Sequence, residues 1–305
     1  MSKPYPGDWV IRSALFVPGH IDKMLSRAAD SGADCLLLDL EDAVPSGKKS
    51  EARQKIRQTL ERELFTRSAV FVRVNSIETA LTAQDLEGVV CRHLHGIVYP
   101  NANAPDDIKK LDKELKRIEK EADLFLGQLS IIPLVETPRG VLNAHAIARS
   151  SSRIVGLIFG CEDYLAELHG RHGADEASLQ VPRAMVAMAA RAAGIEPIDT
   201  PYVKVNDAAG LQSFARTGRD LGMGGMCALT PDQVRLINEV YTPAEDQVQT
   251  AHEMIRAAQD FINSGRGVFI SEARFIAPPT LRAAAKTLAR HEAIKDLEDF
   301  KRANG

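Results

Sequence analysis

The apolar residues of this chain fall into eight short runs, and each run is followed by a stretch in which apolar residues recur at helical spacing. Several runs are apolar almost throughout, which is typical of strands covered on both faces. Eight strand–helix units predict an α/β fold closed into a (β/α)8 TIM barrel, with an open doubly wound sheet as the alternative. The runs begin at Arg12, Cys35, Val70, Gly96, Ser130, Ile154, Pro201 and Gly224.

The chain continues past the eighth unit for more residues than are needed to close a barrel. We therefore predict a TIM-barrel catalytic domain at 1–242 and a C-terminal helical extension at 243–305. The extension could cover the site as a lid, reach a neighbouring subunit as an exchanged arm, or pack against the barrel wall. Its first helix has an apolar stripe of Val248, Ala251, Ile255, Ala258 and Ile262.

Composition and charge narrow the classes of partner. A net charge of −3 gives no electrostatic reason to expect nucleic acid or an anionic membrane. No run approaches the roughly 20 apolar residues of a membrane span, and the N-terminus lacks the apolar core of a signal peptide. The four cysteines form no CxxC pair and no disulfide framework, so we expect reduced thiols and a cytoplasmic location.

Acidic side chains follow three of the predicted strands. Glu41 and Asp42 follow the second, Glu136 the fifth and Asp163 the sixth, while Arg73 lies at the end of the third. In a TIM barrel these positions converge at the carboxyl ends of the strands, where active sites lie. Oxygen ligands without a cluster of Cys or His suit Mg²⁺, and an arginine offers a bidentate grip on a substrate carboxylate.

Each of these acids could instead cap a helix or form a salt bridge. Three acidic positions with an arginine on adjacent strands favour a metal site over that alternative. Asp39 differs from them, because alternation along the second strand points it away from Leu38 and Leu40, and we predict a structural hydrogen bond for it.

Histidines and cysteines give weaker indications. His20 follows the first strand at the catalytic end and is a candidate substrate contact. His169 and His172 share a face if their segment is helical, but the pattern supplies no further ligands for a zinc site. Cys161 neighbours the acids of the sixth strand, but no paired base marks it as a nucleophile.

The same segments resemble a known family. The motifs RSALFVPG, LLLDLEDAVP, FVRVN, PLVETPRGVLN and GLIFGCEDYLAELHG are similar to those of the citrate-lyase β-subunit-like branch of the HpcH/HpaI aldolase superfamily, which includes malyl-CoA and citramalyl-CoA lyases. The resemblance implies a barrel, Mg²⁺ dependence, cleavage of a carbon–carbon bond next to an acyl thioester, and a homotrimer or hexamer.

Site roles follow from this resemblance residue by residue. It implies that Glu136 and Asp163 are metal ligands and that Arg73 binds the carboxylate of a 2-oxo acid. Glu41 and Asp42 would hold water on the metal.

Four positions depart from the family pattern. Asn101, Met226 and Thr230 stand where two lysines and a histidine are common, and Ala277 replaces an aspartate of the tail. Arg12 remains near the first strand as a cation that could bind CoA. Glu272 could substitute for the missing tail acid.

These observations predict a Mg²⁺-dependent carbon–carbon lyase acting on a small hydroxy-acyl substrate that yields a 2-oxo acid. A CoA thioester is the expected substrate, with Arg73, Glu136, Arg12, His20 and Asn101 as its contacts. A thioesterase, a CoA-independent aldolase, and a non-catalytic metal- and metabolite-binding protein are the alternatives.

Overall fold

The computed structural model describes residues 9–173, 176–263, 269–271, 274–276 and 278–304. Eight parallel strands follow one another around a barrel, and the eighth pairs with the first to close it. The (β/α)8 barrel is thereby confirmed, and the open sheet is wrong. The strands are β1 (Ser13–Pro18), β2 (Cys35–Asp39), β3 (Ala69–Arg73), β4 (Gly96–Tyr99), β5 (Ser130–Val135), β6 (Gly156–Phe159), β7 (Glu196–Asp199) and β8 (Gly225–Ala228).

The strands are buried on both faces, as their continuous apolar runs predict. All five residues of β2 are buried, and Leu36, Leu37 and Leu38 have no exposed surface. Because one face of each strand packs inside the barrel and the other under the helices, alternation with polar residues is not needed. A polar residue at a strand's carboxyl end therefore points into or beside the mouth of the barrel.

Helices cover the outside of the barrel, and their apolar stripes decide which face is buried. In α4, Ile108, Leu111, Leu115 and Ile118 are buried on one face, and the charged residues other than the buried Glu119 lie outside it. The helices of the barrel are α1 (Asp22–Ala28), α2 (Lys49–Glu61), α3 (Thr82–Val89), α4 (Pro105–Glu121), α5 (Pro138–Ala148), α6 (Cys161–Leu168), α7 (Ala177–Ala193), α8 (Ala208–Asp220) and α9 (Pro231–Tyr241).

A second compact unit includes Thr242–Ala303. It contains helices α10 (Glu245–Asn263) and α11 (Pro278–Ala303), which pack against each other. An antiparallel hairpin of β9 (Phe269–Ser271) and β10 (Arg274–Ile276) lies between them in the chain. Strands of three residues are too short to show a period, so the sequence pattern did not predict them.

Two positions of this unit bear on the sequence predictions. Ala277 and Glu272 both lie outside the described residues. The role of 243–305 as a lid or an exchanged arm stays a prediction. Among the helices that the structure describes, none has the length and apolar character needed to cross a bilayer.

Candidate active site

A cavity of about 450 Å³ opens at the carboxyl ends of the strands. Both polar and apolar side chains line it, so it can hold a molecule that has a charged group and an aliphatic group. The apolar lining includes Phe16, Leu134, Ile158, Pro201 and Leu229, and the polar lining includes Asp39, Asp42, Arg73, Glu136 and Asp163.

Arg73 is held in place by Asp39. The last residues of β2 and β3 are neighbours in register, and Arg73 donates from Nε to Asp39 Oδ1 (2.8 Å) and from Nη2 to Oδ2 (2.6 Å). Asp39 also accepts the backbone N–H groups of Glu41 (2.9 Å) and Ala43 (3.0 Å). This is the structural role that alternation along the strand predicts. Because both oxygens of Asp39 are committed, the guanidinium has one fixed orientation.

The other edge of Arg73 faces acids. Its Nη1 lies 2.8 Å from Glu41 Oε2 and 3.8 Å from Asp42 Oδ2. The ring of Phe16 packs against the guanidinium, 5.0 Å from its centroid to Cζ, which adds a cation–π contact. Arg73 therefore presents its Nη1 edge to the cavity, next to two carboxylates.

Glu41 combines burial with an unsatisfied oxygen. Its Oε2 is buried and makes no hydrogen bond, although Arg73 Nη1 lies at ion-pair distance. Burial raises the pKa of Glu41 to about 7 against the opposing effect of Arg73, and the neighbouring acids add to the increase. Lys49 fixes the loop by donating to the carbonyl oxygens of Leu40 (2.9 Å) and Glu41 (3.1 Å). Glu41 Oε2 is thus paired in charge with Arg73 but accepts no aligned hydrogen bond, so it keeps a lone pair for a further group.

Glu136 lies at the turn between β5 and α5. Thr137 caps α5 by accepting the N–H of Gly140 (2.9 Å), so the preceding residue is fixed at the mouth of the barrel. Glu136 Oε1 accepts the backbone N–H of Asn101 at 2.7 Å. Burial raises the pKa of Glu136 to about 8, opposed by the Asn101 hydrogen bond and by Arg73 and reinforced by Glu41 and Asp163.

Asn101 acts through its backbone in this arrangement. Its φ of 51° lies in the left-handed region, which asparagine tolerates better than most residues. That turn directs its N–H at Glu136. A contact of the Asn101 side chain with substrate stays a prediction.

Gly160 provides the space in which Glu136 sits. A Cβ at this position would lie 2.8 Å from Glu136 Cβ and 2.9 Å from its Oε2. We expect Gly160→Ala to displace the carboxylate and to lower Mg²⁺ affinity about tenfold, as loss of a positioning contact in a metal site does. Mg²⁺ titration by calorimetry measures this. Gly47→Ala is the control, because a Cβ there meets no atom within 4 Å, and equal affinity in both variants would contradict the prediction.

Asp163 completes the acidic set from the first turn of α6. Burial and the charge of Asp42 raise its pKa, while Arg73 and a contact with Glu136 oppose the increase. Among the described residues that line the cavity, Arg73 is the single cation facing these acids. The donor atoms of these acids are all carboxylate oxygens, and each negative charge disfavours ionisation of the others. Glu41 Oε2 also accepts no hydrogen bond. These features fit Mg²⁺ better than a softer ion.

A family model for HpcH/HpaI aldolase/citrate lyase matches residues 12–231. The chain belongs to the HpcH/HpaI aldolase/citrate lyase family. It is therefore an enzyme of a lyase family that acts on small molecules.

Relatives in this family cover nearly the whole chain. The citrate lyase subunit beta of Escherichia coli is 32% identical over 92% of this chain and 93% of its own. A (3S)-malyl-CoA thioesterase of Cereibacter sphaeroides is 31% identical over 93% of this chain and 95% of its own. The structure of CitE from Mycobacterium tuberculosis in complex with magnesium, acetoacetate and coenzyme A superposes with a TM-score of 0.74 at 28% identity, covering 93% of this chain and 98% of that one. Magnesium is thus found in the family.

Arg12 lies at the opposite end of the barrel from the cavity, which corrects the expectation that it contacts substrate. It precedes β1 and is buried, with Nε 2.8 Å from Asp34 Oδ2 and Nη2 2.8 Å from Asp34 Oδ1. Residues that precede a parallel strand lie at its amino end, so Arg12 has a structural role in this family member.

This role predicts a stability effect without a catalytic one. Removing one partner of a buried ion pair leaves an uncompensated charge, so we expect Arg12→Met to lower the free energy of unfolding by about 3 kcal/mol. Urea unfolding measures the loss, and kcat/KM of the folded variant should stay within about twofold of wild type. A double Arg12→Met, Asp34→Leu variant should recover part of the stability. A large loss of kcat/KM in a stable Arg12 variant would contradict the structural role.

The structure also places His20 and two of the residues that depart from the family pattern. His20 follows β1 at the catalytic end, as expected, but is outside the set that lines the cavity, and its contact with substrate stays a prediction. Met226 is fully buried in β8, so its side chain belongs to the core and not to the rim. Thr230 accepts the N–H of Gln233 at the start of α9.

The sequence interpretation missed several residues of the cavity. Phe16 contacts Arg73, Gly160 accommodates Glu136, and Thr200 accepts the backbone N–H of Cys161 at 3.0 Å. Thr200 stands just beyond the end of β7, which is a usable signal, and Phe16 lies two residues before the end of β1. The close approach at Gly160 has no signal in a single sequence beyond the glycine itself.

Proposed function

We propose that this family member is a Mg²⁺-dependent carbon–carbon lyase that cleaves a hydroxy-acyl CoA thioester, such as malyl-CoA or citramalyl-CoA, into a 2-oxo acid and an acyl-CoA. The observation that carries the proposal is the fixed Arg73, whose Nη1 edge faces the cavity beside Glu41, with Glu136 and Asp163 in the same cavity. The CitE relative was solved with magnesium, acetoacetate and coenzyme A, which supports this substrate class.

Glu136 and Asp163 would hold the Mg²⁺, and Glu41 and Asp42 would hold water around it. When bound, the ion supplies Lewis acidity, which makes the substrate hydroxyl more acidic and stabilises negative charge on its oxygen. Burial and mutual repulsion raise the pKa values of both ligand carboxylates. A bound cation would lower these pKa values and so favour the ionised form that binds it.

Arg73 binds and orients the carboxylate end of the substrate. Asp39 accepts from Nε and from one N–H of Nη2, and Glu41 lies 2.8 Å from Nη1. Nη1 and Nη2 each have a second N–H, and these two would donate to the substrate carboxylate. Phe16 keeps the guanidinium from swinging away from that position. The substrate hydroxyl then lies on the acidic side of the cavity and the acyl chain extends toward the apolar side.

Glu41 is placed to accept the hydroxyl proton, because its Oε2 lies beside Arg73 Nη1 and makes no hydrogen bond. As that proton leaves, the hydroxyl oxygen becomes the 2-oxo group and the adjacent carbon–carbon bond breaks. The electron pair of the broken bond forms the thioester enolate, and a second acid protonates this enolate at carbon. The apolar wall keeps water from this carbon until the protonation occurs.

A thioesterase is the second candidate, because a relative of 31% identity is a (3S)-malyl-CoA thioesterase. The two reactions differ in which bond breaks. The experiment incubates the protein with malyl-, citramalyl- and citryl-CoA and Mg²⁺, and quantifies 2-oxo acid and free CoA thiol separately.

A lyase releases 2-oxo acid and acyl-CoA in equal amounts without free thiol. A thioesterase releases free thiol and no 2-oxo acid, which would overturn the first proposal. A CoA-independent aldolase would leave all three esters intact and turn over the corresponding free acids. We also propose that the protein is a homotrimer or hexamer in which 243–305 forms an arm. Light scattering, which measures the mass of the assembly, tests the number of subunits.

A further inference from the structure

A second group of metal-binding side chains lies at the rim of the same cavity. Cys161, Glu162 and His172 each offer one donor atom, and all three atoms lie within 4.8 Å of one another. The sequence interpretation found no further zinc ligands for His169 and His172, and it considered Cys161 only as a nucleophile. The structure brings them together because His169 ends α6 in a left-handed conformation (φ 56°) and turns the following segment back toward Glu162.

One separation within this group matches that around a tetrahedral ion, and another is a hydrogen-bond distance that an ion would lengthen. Glu162 Oε1 lies 3.4 Å from Cys161 Sγ and 2.8 Å from His172 Nε2. Around Zn²⁺, with bonds of about 2.3 Å to sulfur and about 2.0 Å to nitrogen and oxygen, neighbouring ligand atoms are roughly 3.2–3.5 Å apart. Small side-chain movements would therefore create the site.

His172 is also oriented as a metal ligand requires. Its second nitrogen, Nδ1, lies 2.9 Å from Glu176 Oε2. Nε2 also lies 2.8 Å from a carboxylate oxygen, Glu162 Oε1, so both ring nitrogens donate, and these two hydrogen bonds raise the pKa of His172 against the opposing effect of burial. An ion would replace the proton on Nε2, while Glu176 would go on accepting the Nδ1–H. The contact with Glu176 would fix the ring in the orientation that a metal ligand needs.

We propose that Cys161, Glu162 and His172 form a site for a borderline-soft divalent cation such as Zn²⁺, with Glu176 orienting the histidine and a water in the fourth position. The donor set of one thiolate, one imidazole and one carboxylate prefers Zn²⁺ or Co²⁺ to Mg²⁺, which prefers the all-oxygen set of Glu136 and Asp163. The thiol loses its proton to solvent when the ion binds.

This inference does not rest on the proposed lyase activity. An ion there would join α6 to the segment that leads into α7, and it would stand one residue from Asp163. We expect occupancy to weaken Mg²⁺ binding through the repulsion of two nearby cations. The site would thus make the enzyme sensitive to zinc.

Cobalt provides a readout other than activity. The full-length protein is stripped with chelator, dialysed into saturating Mg²⁺, and titrated with Co²⁺ while its absorption spectrum is recorded. We expect one equivalent to produce a thiolate-to-cobalt charge-transfer band together with the visible bands of a tetrahedral ion, and one equivalent of Zn²⁺ to remove both. Glu176→Gln should weaken Co²⁺ binding about 10–100-fold.

Variants assign the ligands. Cys161→Ser should abolish the charge-transfer band. His172→Gln is at an exposed position, so it should keep the fold and weaken Co²⁺ binding about 10–100-fold. Cys91→Ser and His145→Gln lie outside the group and should bind Co²⁺ as wild type does. No charge-transfer band in wild type, its persistence in Cys161→Ser, or its loss in the control variants would each overturn the proposal.

Discussion

Glu136→Gln is expected to abolish Mg²⁺-dependent turnover, lowering kcat/KM by at least about a thousandfold. The carboxylate is nine-tenths or more buried, accepts the Asn101 N–H and is surrounded by acids. An amide of the same shape keeps the packing but removes the charge that an ion needs. Initial rates of 2-oxo acid release over a range of Mg²⁺ concentrations measure the loss.

The matched control for this prediction is Glu167→Gln. Glu167 lies on α6 and is exposed to solvent, so the same chemical change there should leave both turnover and Mg²⁺ affinity unchanged. If Glu136→Gln retained the wild-type kcat/KM, Glu136 would not be a metal ligand. Equal loss in the two variants would indicate a general effect of charge and not a specific ligand.

Arg73→Lys is expected to lower kcat/KM by about a hundredfold, which corresponds to about 2.7 kcal/mol of transition-state stabilisation. Arg73 uses two nitrogens to bind Asp39 and still presents an edge to the cavity. A lysine keeps the charge but has one nitrogen, so it cannot bind Asp39 and a substrate carboxylate in a fixed plane. The loss should fall mainly on KM for substrates whose carboxylate Arg73 binds.

Two comparisons make this prediction specific. Arg67→Lys alters an exposed pair with Asp30 and should leave the kinetics unchanged. Asp39→Asn removes the anchor without touching the cavity edge of Arg73, and it should lower kcat/KM less than Arg73→Lys does. If Arg73→Lys retained wild-type KM for every ester tested, the carboxylate-binding role would be wrong.

The fold and the polar half of the site were accessible from the sequence because both depend on topology. Continuous apolar runs such as that of β2 require cover on both faces, and eight of them in succession close a barrel. Once the strands are parallel, Glu41, Arg73, Glu136 and Asp163 must lie at one end. Local sequence order was therefore sufficient to predict that they converge.

Arg12 shows where a position along the sequence was misread. Its run was taken as one strand-like segment, yet β1 begins at Ser13, and a residue before a parallel strand lies at the amino end of the barrel. The pairing with Asp34, which likewise precedes β2, is a signal that both residues share that end. The information was present in the order of the two runs.

The rest of the site depends on conformations that a single sequence does not reveal. Asn101 reaches Glu136 through a backbone N–H in a left-handed turn. His172 reaches Glu162 only because the chain reverses after α6. Neither contact follows from helical or strand periodicity, since both arise where regular structure ends.

The most direct test of the proposed site is a crystal structure of the protein with Mg²⁺ and a 2-oxo acid. We predict one ion with carboxylate oxygens of Glu136 and Asp163 at about 2.1 Å, and the carboxylate of the oxo acid on the Nη1–Nη2 edge of Arg73. An ion bound elsewhere, or an oxo acid whose carboxylate does not contact Arg73, would contradict the account of this site.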